Sequence, residues 1–109
     1  MKVIDPQIIE SVNNKIIQFF TGDFSTYFSG SYHINCLPEL DETGQILLVL
    51  VHLVNRNDID LEKFEENISK EIKAITHFPI KHQSDFVGNV FVVKFQTQYS
   101  LKISIKPVW

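Results

Sequence analysis

The sequence predicts a two-layer α+β fold: a four-stranded antiparallel sheet carrying two helices, in the order α-β-β-α-β-β, as a single domain over residues 1–109. Three observations predict it. Gln45–Val54 holds eight aliphatic residues in ten, bounded by Asp41-Glu42-Thr43-Gly44 and by Asn55-Arg56-Asn57-Asp58. Residues 6–20 and 61–76 place apolar side chains at helical spacing. From Phe91 to Ile105 every odd position is Phe, Val, Thr, Tyr, Leu or Ile, and the even positions from Lys94 are polar. A chain of 109 residues, 44% of them hydrophobic, is sized for one core.

Helix 1 opens at Asp5-Pro6. An aspartate caps the first amides, and proline at the first helical position gives up no needed hydrogen bond. Ile9, Val12, Ile16 and Phe19 form its stripe, widened by Ile8 and Phe20, and Thr21-Gly22 stops it. Asp23–Gly30 is an aromatic-rich connection. Tyr32, Ile34 and Cys36 alternate with His33 and Asn35 as a strand that Pro38 ends. Glu39–Gly44 is then a hairpin loop into the central strand.

That central strand, Gln45–Val54, is apolar on both parities, so both of its faces should be covered. Helix layers on one side leave the second face to Phe24, Phe28, the C-terminal Val108-Trp109 or another subunit. Helix 2 runs from an Asp60 cap to about Thr76 with Leu61, Phe64, Ile68, Ile72 and Ile75 as its stripe. Glu66 and Lys70 make a favourable pair one turn apart. His77–Asn89 reads as a polar connection. The alternating C-terminal stretch is too long for one strand of a small domain, since sixteen residues reach about 50 Å. Either a hairpin bends near Gln96–Gln98 or a long bent strand protrudes; the hairpin is expected, although no Gly, Pro or Asn-Gly marks a turn there.

A formal charge of −3 disfavours a protein built around nucleic acid. The only basic part is 81–109, where Lys81, Lys94, Lys102 and Lys106 stand against Asp85 alone. The single cysteine excludes an intramolecular disulfide and a four-cysteine zinc site. Asp5 and Pro6 interrupt any leader-like apolar run, and Gln45–Val54 falls short of the ~18–20 apolar residues of a membrane span. A cytoplasmic location without membrane association is the expectation.

No set of side chains for chemistry converges. His33 and Cys36, three apart on a strand, face opposite ways, and Cys36 shares the apolar parity, as a buried structural thiol would. His77, His82 and Asp85 lack zinc-ligand spacing and have Lys81 among them, so they read as solvated loop residues. His52 reads as a neutral core histidine. Gly30-Ser31 followed by Asp41 resembles the opening of the nucleotidyltransferase pattern, but Asp41-Glu42-Thr43 lacks the second carboxylate of an Asp-x-Asp pair, and two-metal chemistry has no ligands. The α-β-β-α order is similar in layout to KH-type RNA-binding domains, without their Gly-x-x-Gly loop. The expectation is therefore no catalytic, cofactor or metal residues.

The function expected is a non-enzymatic protein–protein interaction module of inhibitor, immunity, adaptor or phage-structural type, homo-oligomeric or bound to a partner protein. Its expected contact residues are Phe24, Phe28, Lys94, Tyr99, Lys102, Lys106 and Trp109. The alternative is RNA or other nucleic-acid binding by the lysine-bearing C-terminal sheet face, although that face lacks the aromatics used for base stacking.

Overall fold

The computed structural model describes residues 5–41 and 43–97. Helix α1 spans Pro6–Thr21, and the Asp5 carboxylate accepts from the Gln7 amide at 2.9 Å. The Gly22 amide closes the helix on the Gln18 and Phe19 carbonyls. A 3-10 turn, Asp23–Tyr27, follows. Strands β1 (Tyr32–Pro38) and β2 (Gln45–Leu53) make the first hairpin. Its turn is organised by Asp41, whose Oδ1 accepts from Thr43 Oγ1 at 2.7 Å and from the Thr43 and Gln45 amides at 3.0 Å. These donors, the Thr43 hydroxyl first, hold the Asp41 carboxyl below its ordinary range.

Helix α2 spans Leu61–Thr76, and its Asp60 cap accepts from the Lys63 amide at 3.1 Å. It ends on His77 in the left-handed conformation, φ 53°, with the His77 amide on the Lys73 carbonyl. Strands β3 (Ile80–Val87) and β4 (Val90–Thr97) form the second hairpin. The sheet order is β1-β2-β4-β3, antiparallel throughout.

The predicted class and element order hold, but the third strand lies elsewhere. The partner of β4 is Ile80–Val87, within the stretch whose composition predicts a polar connection. Strand β4 runs through Gln96 to Thr97 without a bend, and the rest of the expected bend, from Gln98 on, lies outside the described residues. The reversal is at Gly88-Asn89. Gly88 sits at φ 60° and Asn89 is not at positive φ, the arrangement of a two-residue type II′ turn. The β3 pattern misleads because two of its inward positions, His82 and Ser84, are polar.

Both helices cover one face of the sheet. Ile9, Val12, Ile16, Phe19 and Phe20 from α1, and Phe64, Ile68 and Ile72 from α2, pack on Leu47, Val49, Val51, Phe91, Val93 and Phe95. Leu61, expected in the α2 stripe, is instead 40% exposed at the first turn. A bulge between Gln45 and Leu47 sets two β2 residues against one step of β4, and Ile46 and Leu47 are consecutively buried. Asn13 Nδ2 donates to the Ile46 carbonyl at 2.9 Å.

Coverage of the central strand is one-sided. Val49 and Val51 are fully buried, whereas Leu48 and Leu50 on the opposite parity are half-buried. The expectation that all four are shut away from solvent is corrected within the described chain, because the helices occupy only one layer.

Candidate functional site

The helix-free face of the sheet follows from the strand registers. One row across it reads Leu37, Leu48, Lys94, Gln83. The next reads Asn35, Leu50, Val92, Asp85, and the next His33, His52, Val90, Val87. The apolar members form a diagonal from Leu37 through Leu48, Leu50, Val92 and Val90 to Val87. Leu37 is 41% exposed and Val87 69%, and the four between are half-buried. With strands ~4.8 Å apart and ~6.8 Å between same-face residues, the diagonal is about 20 Å long. Polar corners flank it: Lys94, Gln83, Gln96 and Lys81 on one side, His33, Asn35 and His52 on the other.

Sequence reasoning missed this diagonal as a surface. The signal was Val90 and Val92, which break the polar parity of the C-terminal stretch. Only the register sets them beside Leu50 and His52.

Of the expected contact residues, Lys94 lies on this face. Phe24 does not. It is fully buried on the helix side, its ring 4.4 Å from that of Phe20 and 5.3 Å from that of Phe64. Phe28 is half-buried against the same cluster, 4.6 Å from Phe24 and 4.8 Å from Tyr32. Both rings are spent within the domain, because the 3-10 turn after α1 folds them under the helices. Tyr99, Lys102, Lys106 and Trp109 lie outside the described residues.

The histidines also move. His52 is not in the core: it is half-buried on the helix-free face, with Nε2 3.3 Å from Asn35 Nδ2 and its ring 6.1 Å from that of His33. His82 is not a loop residue. It points under α2 with 14% of its side chain exposed, and its Nε2 lies 3.2 Å from Glu65 Oε2. Ser84 donates its hydroxyl to the other oxygen of Glu65. A nucleophile and its base must bond each other. Here serine and imidazole bond one carboxylate, so the trio ties α2 to β3 and does not activate the hydroxyl. Cys36 faces the helix layer half-buried, and burial pushes its thiol above the ordinary value.

Among the described residues, no group of three or more His, Cys, Asp or Glu side chains could hold a metal ion. No described helix is long and apolar enough to cross a membrane. No protein-family model, no curated protein and no solved structure matches the chain.

Proposed function

We propose that this protein is a non-enzymatic protein–protein interaction module that docks its partner on the helix-free face of the sheet. The observation that carries the reading is the continuous apolar diagonal Leu37–Leu48–Leu50–Val92–Val90–Val87, which no described element covers. Scattered apolar side chains are normal on a surface. Six joined across four strands and flanked by polar corners are the pattern of a contact site.

Nucleic-acid binding is the competing reading. On the described part of this face it draws on Lys81 and Lys94 beside Asp85, with no Phe, Tyr or Trp to stack on a base.

A photo-crosslinking amino acid placed at Val92 in cells tests the proposal, with a control at Glu62 on exposed α2. Adducts with protein from Val92 and not from Glu62 are expected, and Leu50→Lys in the same chain should remove them. Absence of protein adducts at Val92, together with salt-sensitive RNA binding lost in Lys94→Glu, would favour the competing reading.

A further inference from the structure

We propose that two copies of this chain join at strand β3, edge to edge and antiparallel, across a two-fold axis at Gln83, so that Lys81 of each copy faces Asp85 of the other. The contact is separate from the helix-free face and goes beyond the docking reading, on which it does not depend.

The backbone supplies the first argument. In the order β1-β2-β4-β3, no described strand pairs with the outer edge of β3. Val87 and Val90 flank the two-residue turn as a bonded pair, so the odd residues of β3 spend their amides and carbonyls on β4. Ile80, His82, Ser84 and Phe86 turn theirs outward. The Phe86 amide agrees with this phase, since it donates to the Asp85 carboxylate at 2.7 Å. So does the Thr97 amide, opposite Ile80, which donates to the Gly44 carbonyl on the far side of β4. An edge of outward donors and acceptors is a template for another strand.

Side chains select the partner. A two-fold axis sets β3 against itself, and antiparallel pairs must match in both bonding phase and sheet face. With the axis at Gln83, Lys81 meets Asp85 on either side of it and Gln83 meets Gln83, all exposed on the helix-free side. On the helix side Ile80 meets Phe86, both half-buried, and His82 meets Ser84. Every pair is thus opposite charge, amide on amide, apolar on apolar or polar on polar. An axis at His82 sets Lys81 against Gln83, and one at Ser84 sets it against Val87, so only the Gln83 axis satisfies the charges. In that pairing the Phe86 amide passes to the second copy's Ile80 carbonyl, which frees the Asp85 carboxylate for Lys81. The other edge, β1, ends on Pro38, which lacks an amide, and has no Lys, Arg, Asp or Glu to choose a register.

The helix layer leaves room. The Phe64 ring of α2 lies 5.2 Å from Phe91 of β4 and 6.4 Å from His82 of β3, so α2 straddles this strand pair. An axis normal to the sheet keeps the helices of both copies on one side and sets α2 about 10 Å from its mate, a spacing at which helices pack. Glu65, on the seam side of α2, is already bonded to His82 and Ser84 of its own copy. The contact is isologous and closes at two.

The test uses the full chain in light scattering after size exclusion, from about 1 to 200 μM, a range spanning weak to moderate dimers. A dimer is expected. Lys81→Glu sets carboxylates against each other on both sides of the axis and should raise the dimer dissociation constant about tenfold or more. Asp85→Lys should do the same with ammonium groups. An equal mixture of the two single variants should form a heterodimer, because both facing pairs are then of opposite charge. The double variant Lys81→Glu/Asp85→Lys should dimerise like wild type. The His82 and Ser84 amides of wild type should exchange hydrogen more slowly as concentration rises. Circular dichroism checks each fold, and if Asp85→Lys does not fold, Lys81→Glu and amide exchange carry the test. A monomeric wild type at the highest concentration, single variants that dimerise as tightly as wild type, or a mixture that stays monomeric overturns the pairing. A dimer whose His82 and Ser84 amides exchange at a rate independent of concentration uses another surface and overturns it as well.

Discussion

Asn13 Nδ2 donates to the Ile46 carbonyl at 2.9 Å, which ties the middle of α1 to the bulge in β2. The same carbonyl accepts from the Glu39 amide at 3.2 Å. Asn13 is 4% exposed, and its Oδ1 has no partner among the described residues. One polar group therefore sits in the core as a donor only.

Asn13→Ala should cost about 1 kcal/mol, since the carbonyl keeps its second donor. Asn13→Asp should cost more at pH 7, because it sets a buried carboxylate against a carbonyl oxygen. The gap between the two variants should narrow as pH falls through the carboxyl range, where the acid regains a donor. Urea unfolding of both variants at pH 4 and pH 7 measures this. Equal costs at both pH values would deny the donor role.

Gly30 is kept small by Asp58. A Cβ on Gly30 would overlap Asp58 Oδ2 and lie 2.6 Å from its Cγ. The Ser29 amide donates to the Asp58 carbonyl at 3.0 Å and holds the two segments together. Gly30→Ala should displace the Asp58 side chain and destabilise by about 1 kcal/mol or less, since Gly30 is exposed and a side chain can give way. In the background Asp58→Gly, the same change should cost clearly less. A double-mutant cycle with no coupling would show that the contact is absent in solution.

Leu47 and Leu50, three apart on β2, should respond differently to truncation. Leu47→Ala empties a fully buried site and should cost about 2–5 kcal/mol, independent of protein concentration. Leu50→Ala opens a half-buried site on the other face and should cost clearly less in dilute solution. Thermal melts of the two variants separate the leucines.

Tyr27 should show in alkali. Its burial first, then the charge and hydrogen bond of the Glu71 carboxylate, then the charge of Asp23, raise the phenol above its ordinary value of 10.0. A raised folded value means the neutral phenol is favoured in the native state. Its contribution to stability is complete below about pH 10 and is lost as pH rises through the folded value. The urea midpoint of wild type should therefore fall faster than that of Tyr27→Phe above pH 10. Parallel slopes would show an unperturbed phenol.

Much of the architecture was legible in the chain because local chemistry wrote it. Asp5-Pro6 and Asp60 mark helix starts wherever they stand, since a cap acts on amides two or three residues away. The apolar spacing of Ile9 to Phe20 and of Phe64 to Ile72 gave the buried helix faces for the same reason. Strand β3 was not legible. His82 and Ser84 look solvent-facing in sequence, and only Glu65, on α2, makes them tolerable under a helix. Gly88-Asn89 was a readable turn, outweighed by the stronger alternation that follows it.

Sequence alone determined the class, the element order, the two capped helices and the first hairpin, because these depend on contacts short in sequence. Tertiary structure decided which strand pairs with β4, that the rings of Phe24 and Phe28 turn inward, and that Leu48 and Leu50 share an uncovered face with Val90 and Val92. The pairing of β3 with β4 is local in sequence, across Gly88-Asn89, but its polar inward residues His82 and Ser84 need Glu65 of α2. The shared uncovered face depends on register between β2 and β4, tens of residues apart. A shift of one residue would exchange one face of a strand for the other, so no local pattern could have settled that face.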